Sequence, residues 1–160
     1  MKEFKNKKIL ITGGTGTFGK AFINYLNNLG SNQPSKIYIY ARDEHKFHDM
    51  ENSNLLTSNS RLLIGDIRDE KRLELATKNI DIVIHAAALK HVPFAEYNPM
   101  EAVNTNIFGS NNLINACIKN KVKKCMLVST DKAVNPINLY GSTKLCAEKI
   151  FIASNNISAG

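Results

Sequence analysis

The sequence predicts a doubly wound α/β domain built on a single parallel sheet, and three observations carry that prediction. Five short apolar runs alternate with stretches of helical periodicity along the 160 residues, the pattern of parallel strands covered by helices on both faces. The first run leads at once into a glycine cluster and then into a helical pattern. Chemistry-bearing residues follow the C-terminal ends of all five runs: the Gly13 loop, Arg42, Asp66, residues 86–90 and the stretch from Thr130. In a parallel sheet those ends share one edge, where ligands bind at the topological switch point. Right-handed crossovers then give the strand order 3-2-1-4-5, a Rossmann-like sheet with residues 1–160 as one domain.

Residues 8–12 form the first strand, a buried apolar run ending in glycine. Gly13-Gly14-Thr15-Gly16-Thr17-Phe18-Gly19 then fills the place of a dinucleotide-binding loop between strand and helix. Glycine permits the tight turn and close approach to a pyrophosphate, and the helix N-terminus offers free N–H groups. Phe18, Phe22, Tyr25, Leu26 and Leu29 recur at helical spacing, and Gly30 suits the stop. The second strand, residues 36–40, is followed by Ala41, Arg42, Asp43 and Lys46. A guanidinium at this tip suits a 2′-phosphate, so NADP is expected; in the alternative, Asp43 holds the ribose of NAD.

A weak helix is expected over residues 44–56, a third strand over 61–64, and a helix capped by Asp69 through about residue 78. The fourth strand, residues 80–85, runs into Ala86, Ala87 and Ala88, small enough for a nucleotide to lie against the backbone. Val92 precedes Pro93, which argues against regular helix and leaves Lys90 and His91 on a loop. Asn98, Pro99 and Glu101 read as the cap and first turn of a helix reaching Asn120. Its apolar face is expected at Met100, Val103, Ile107, Ile114, Cys117 and Ile118, with Asn104 or Asn106 hydrogen-bonded inside. Residues 125–128 complete the sheet.

Composition excludes several classes. The chain is 43% hydrophobic and 22% charged, as an ordinary globular protein is. No apolar run approaches the roughly 20 residues of a membrane helix, and no signal-peptide pattern opens the chain. The net charge of +7 comes from lysine clusters flanking strands, without the aromatic interleaving of a nucleic-acid surface. Cys117, Cys125 and Cys146 have no metal-ligand spacing and read as free buried thiols. A cytoplasmic protein with no metal, no nucleic-acid partner and no membrane partner is expected.

The densest chemistry lies in residues 129–144. Thr130, Asp131 and Lys132 follow the fifth strand; Tyr140 and Lys144 sit four apart on one helix face. An ammonium beside a phenol favours the phenolate.

With these residues in view, the sequence resembles the extended short-chain dehydrogenase/reductase superfamily, through Thr12, Gly13, Gly16 and Gly19 and the Tyr140-x-x-x-Lys144 pair. More narrowly it resembles the inverting UDP-N-acetylglucosamine 4,6-dehydratases of bacterial surface-sugar biosynthesis. The segments that carry this are residues 11–20, 85–93, 96–99, 129–133 and 138–141, the Thr130-Asp131-Lys132 triplet being the most diagnostic. The resemblance implies NADP as cofactor and a UDP-sugar as substrate. It implies that Tyr140, assisted by Lys144, takes the proton of the 4-hydroxyl as carbon 4 is oxidised, with Thr130 holding the 4-oxygen. Lys132 would then remove the carbon-5 proton and Asp131 protonate the departing 6-hydroxyl, after which hydride returns to carbon 6. It implies cofactor contacts from Gly13, Thr15, Gly16, Thr17, Phe18, Gly19, Ala41, Arg42, Asp43, Lys46, Asp66, Ile67, Ala86, Lys90, Tyr140 and Lys144. Lys90, Thr130 and Lys132 would also reach the substrate, and Asn106 would brace the catalytic lysine.

Members of that family run to about twice this length, so the C-terminal strands and the substrate-gripping region are expected to be missing here. The helices at 99–120 and 139–154 are the expected homo-oligomer surface. Two other readings stand beside the dehydratase: a nucleotide-sugar epimerase or reductase on the same fold, and a non-catalytic NADP-binding module.

Overall fold

In the computed structural model, which describes residues 2–157, five parallel strands run in the order β3-β2-β1-β4-β5. They are β1 (Lys8–Thr12), β2 (Lys36–Ala41), β3 (Ser60–Ile64), β4 (Ile82–His85) and β5 (Lys124–Leu127). The register explains the two cores. Ile9 lies opposite Ile37 and Ile82, and Ile11 opposite Ile39 and Ile84, so six isoleucines share one face. Helices α1 (Thr17–Asn27) and α2 (Glu44–Asn52) cover it with Ile23, Leu26, Phe47 and Met50. Leu10 and Val83 point the other way, against Leu73 of α3 (Glu70–Ala76) and Leu113 and Ala116 of α6 (Gly109–Lys119). Asp43 and Asp69 cap α2 and α3 by accepting from the backbone N–H of Lys46 and Arg72.

Several helical expectations are corrected. On α1 the inward residues are Gly19, Ile23 and Leu26, whereas Phe18 and Tyr25 are exposed. Phe18, Phe22 and Tyr25 instead stack on one another along the flank, with Phe4 edge-on to Phe22. The helix stops at Asn27, before Gly30, which turns with positive φ inside a short 3-10 segment. Val92 does enter a helix, α4 (Val92–Tyr97), because Pro93 lies in its first turn, where its missing N–H has no partner to lose. Lys90 and His91 precede α4 without regular structure, as expected. Strand β4 starts two residues later than expected and α2 ends four residues earlier.

The helix expected over 99–120 is a rod with a wide turn inside it: α5 (Pro99–Val103), a π turn (Asn104–Phe108) and α6. The extra residue of a π turn rotates everything after it relative to everything before it. Met100, expected inside, is 61% exposed, while Thr105 and Asn106 are buried. Asn98 caps nothing with its side chain, which donates back to the Phe94 carbonyl. Of the cysteines, Cys117 is buried but Cys125 and Cys146 are only partly so. A hydrogen bond to Cys125, then burial, push the Cys117 thiol up.

Helix α7 (Leu139–Ile157) closes the fold beside α6. Among the described residues no helix is long and apolar enough to cross a membrane.

Gly19 sets how closely α1 meets the loop before it. A Cβ there would overlap the Gly14 backbone, which has no side chain to move aside. Gly19→Ala should therefore lower unfolding stability by about 1–3 kcal/mol in urea titrations; an unchanged midpoint would show that the loop gives way freely.

Candidate active site

The C-terminal ends of the strands open onto a cleft of about 420 Å³, within the size range of small-molecule sites. The loop after β1 contributes Gly13, Thr15, Gly16, Thr17, Phe18 and Gly19, and the tip of β2 contributes Tyr40, Ala41, Arg42, Asp43 and Lys46. Gly65 and Ile67 follow β3; Ala86, Ala87, Ala88 and Lys90 follow β4; Val128 and Ser129 follow β5. Thr105 of the π turn and Tyr140 and Lys144 of α7 complete the wall. Of the residues expected at the cofactor, Asp66 alone is not in the lining. Its carboxylate turns to Arg68, receiving Nε–H and Nη2–H at 2.9 and 2.7 Å. Sequence reasoning gave no cofactor contact to Tyr40, Gly65, Thr105, Val128 and Ser129, although Ser129 heads the stretch read as densest in chemistry.

The loop after β1 suits a phosphate. Gly13 has φ of +68°, and a Cβ there would lie 2.6 Å from Ala87 N, so only glycine makes the turn. Gly16 occupies the cap position before α1, and no side chain caps the helix there. A Cβ on Gly16 would meet nothing nearer than the Gly13 carbonyl at 3.2 Å, leaving the backbone open to the cleft. Uncapped N–H groups at the positive end of an 11-residue helix are what a pyrophosphate requires.

Behind the cleft runs a buried polar chain. Thr12 Oγ1 lies 2.6 Å from His85 Nδ1, and His85 Nε2 lies 3.1 Å from Ser110 Oγ. Ser110 donates to the Asn106 carbonyl at 2.6 Å. The Asn106 side chain accepts from Leu89 N–H at 2.8 Å and donates to the Leu89 carbonyl at 2.9 Å and to Thr143 Oγ1 at 3.0 Å. Thr143 in turn donates to the Tyr140 carbonyl at 2.8 Å. Asn106 is thus the inward asparagine, but its partners are the loop after β4 and Thr143, the neighbour of Lys144. The Lys144 amine, 3% exposed as a residue, donates to the Val128 carbonyl at 2.9 Å. Burial lowers its pKa to about 8, opposed by the charge of Glu148 one turn on.

The triplet lies apart from this wall. Thr130, Asp131 and Lys132 do not line the cleft; Asp131 and Lys132 belong to a 3-10 turn (Asp131–Ala133) beside it. Thr130 donates to Asp131 Oδ1 at 2.9 Å, and Lys132 Nζ lies 3.8 Å from that oxygen. The Thr130 hydroxyl and then the Lys132 charge hold the Asp131 carboxyl below the ordinary carboxylate range, although its side chain is 89% exposed. What ties the turn to Tyr140 is Gly141, where a Cβ would overlap the Lys132 carbonyl oxygen. The start of α7 is fixed as well: Asn138 Oδ1 accepts from Gly141 N–H at 2.8 Å and Glu96 Oε1 from Leu139 N–H at 2.7 Å. Among the described residues no three His, Cys, Asp or Glu side chains are placed to hold a metal.

Residues 9–160 match the family described as polysaccharide biosynthesis protein. A UDP-N-acetylglucosamine 4,6-dehydratase (inverting) of Campylobacter jejuni is 56% identical over 97% of this chain and 46% of its own length. A UDP-glucose 4-epimerase of Rickettsia canadensis is 46% identical over 94% of this chain and 44% of its own. Among solved structures, the UDP-glucose 4-epimerase of Bifidobacterium longum in complex with NAD⁺ and UDP superimposes with a TM-score of 0.79 at 26% identity, over 94% of this chain and 49% of that one. The chain belongs to the polysaccharide biosynthesis protein family and spans about half the length of the curated relatives it matches.

Asn106 supplies three hydrogen bonds that nothing nearby replaces. Asn106→Ala is expected to cost roughly 2–4 kcal/mol in urea unfolding, since the Leu89 amide loses both partners. A cost below about 1 kcal/mol would mean that the Leu89 loop finds other partners.

Proposed function

From membership in this family we propose that the chain carries the cofactor-binding and proton-moving part of an NADP-dependent UDP-N-acetylglucosamine 4,6-dehydratase that inverts carbon 5. The observation that supports it most is the packing of the Thr130-Asp131-Lys132 turn directly on Gly141, next to Tyr140. One close contact joins a pair suited to oxidation and a pair suited to elimination.

NADP⁺, when bound, supplies the acceptor for hydride from carbon 4 and the donor that later reduces carbon 6. The following roles fall to residues of this chain. The Gly13–Gly19 loop and the first N–H groups of α1 hold the pyrophosphate, and Arg42 with Lys46 faces the 2′-phosphate. Ala86 lets the dinucleotide lie against the backbone after β4, and Lys90 reaches from the same loop towards the sugar nucleotide. Tyr140 accepts the 4-hydroxyl proton, and Lys144 places a charge beside it. Thr130 holds the 4-oxygen, Lys132 removes the carbon-5 proton and Asp131 protonates the leaving 6-hydroxyl; carbon 5 then regains a solvent-derived proton on the opposite face as carbon 6 is reduced. Exposed Phe108 and Ile152 support a homo-oligomer through the helices at 99–120 and 139–154.

The Rickettsia relative favours a second reading, an epimerase that uses Tyr140 and Lys144 but neither Asp131 nor Lys132. Incubation of a form that spans the full length of its relatives with NADP⁺ and UDP-N-acetylglucosamine in deuterated water separates the two. The expected product is a 4-keto-6-deoxy sugar inverted at carbon 5 and deuterated there. Lys132→Ala should abolish the carbon-5 label while leaving the transient NADPH absorbance of the first oxidation. A product that keeps its 6-hydroxyl would replace the dehydratase with the epimerase.

Lys144 gives a test independent of turnover. Its amine binds a proton more weakly folded, at about 8, than its ordinary 10.5, so the cost of burying the charge is present below about pH 8. That cost is relieved as the pH rises towards 10.5, because the unfolded chain then holds the proton the folded one has lost. Lys144→Met lacks this dependence. Its stability relative to the unsubstituted protein should fall by roughly 3 kcal/mol between pH 7 and 10.5 in urea titrations. A pH-independent difference would contradict a buried ammonium.

A further inference from the structure

Four charged side chains beside the cleft alternate in sign. Arg42, at the tip of β2, has its Nη1 3.6 Å from Asp66 Oδ2, within ion-pair range but beyond a hydrogen bond. Asp66 is already filled from the other side. Its Oδ1 accepts the Arg68 backbone N–H at 2.9 Å, and its Oδ2 accepts Arg68 Nε–H and Nη2–H. Arg68 then uses Nη1–H to reach Glu101 Oε2 on α5 at 2.8 Å. A carboxylate that takes three hydrogen bonds from one arginine has little left for a second. Arg42 is therefore the loosely held member, its side chain 59% exposed, and it lines the cleft together with Lys46.

We propose that Arg68 is a specificity-determining positioning residue: by saturating Asp66 it keeps Arg42 free to grip the 2′-phosphate of NADP. Glu101 holds the far end of the Arg68 fork and so fixes the direction in which Arg68 faces Asp66. Without Arg68, the Asp66 carboxylate takes Arg42 into a close pair, because a guanidinium and a carboxylate already 3.6 Å apart need only a small rotation to hydrogen-bond. This inference rests on the NADP reading above and adds to it the residue that sets the preference.

The test is calorimetric binding of NADP⁺ and NAD⁺ to the 160-residue chain and its variants, with folding checked by circular dichroism. The unsubstituted chain should prefer NADP⁺. Arg68→Ala should weaken NADP⁺ about tenfold and NAD⁺ no more than about twofold, the loss of one charge-assisted contact to the phosphate. Arg42→Ala/Arg68→Ala should bind NADP⁺ no more weakly than Arg42→Ala alone, since Arg68 acts only through Arg42. Glu101→Gln, which keeps the shape of the side chain but removes its charge, should shift the ratio in the same direction by less. Equal weakening of both dinucleotides in Arg68→Ala, or additive losses in the double variant, would overturn the role given to Arg68. A chain that binds NAD⁺ as well as NADP⁺ before any substitution would instead remove the NADP reading itself.

Discussion

His85 sits at the end of β4 with both ring nitrogens engaged, and its surroundings decide its proton by counting donors. Ser110 has one hydroxyl hydrogen and gives it to the Asn106 carbonyl, so it can only accept from His85. Nε2 therefore carries the ring hydrogen and Nδ1 is the acceptor. Thr12 must then donate to Nδ1, which leaves its oxygen free to accept the Ala87 N–H at 3.4 Å. Every donor meets an acceptor and no member is charged. Burial, with the nearby Lys144 charge adding to it, lowers the His85 pKa to about 3, so this neutral tautomer persists through the physiological range. A fully satisfied buried network is rigid because breaking any one link strands another. This one joins β1, β4, the π turn, α6 and α7, and the loop that lines the cleft after β4 hangs from it.

The π turn belongs to the same argument. A regular helix would carry Asn106 and Ser110 past different neighbours, because an extra residue per turn changes which side chains face the sheet. Here the wide turn lets Asn106 hold both backbone groups of Leu89 while Ser110, one turn on, reaches His85. Helix α7 is placed through Thr143, next to the lysine that matters. Gly141 on the same helix draws in the Asp131–Ala133 turn, so Asp131 and Lys132 are referred to α7 along with Tyr140 and Lys144, although they come from a loop.

Much of this was legible in the residues. Strand order followed from alternation and handedness, and the shared edge followed from where the loops fall. The cap Asp69 is a local hydrogen bond that a short window of sequence encodes, whereas Asp43, read as a cofactor residue, also caps α2. What was not legible depends on partners distant in the chain. The spacing of Phe18, Phe22 and Tyr25 is as helical as that of Gly19, Ile23 and Leu26, and only the bare Gly14 backbone decides which row turns inward. Nothing in residues 99–120 announces a π turn, since the demand for it comes from Leu89 and His85. Arg68 drew no reading from the sequence, because Glu101, its second partner, is 33 residues away.

Burial separates Lys144 from Asp131 and Lys132, and the difference bears on how the proposed reaction would proceed. Lys144 is already enclosed, so its electrostatics are set before any substrate arrives. Asp131 and Lys132 form an open ion pair, Asp131 ionised, which is the reverse of what their proposed roles require. An acid must hold a proton and an amine base must lack one, so one proton has to pass from Lys132 to Asp131. Water opposes that transfer because it solvates both charges. Covering the pair with substrate removes the solvation, and a neutral acid and amine then cost less to enclose than two ions 3.8 Å apart. In the proposed reaction, the covering that would bring carbon 5 to Lys132 would therefore also favour the neutral forms of both groups.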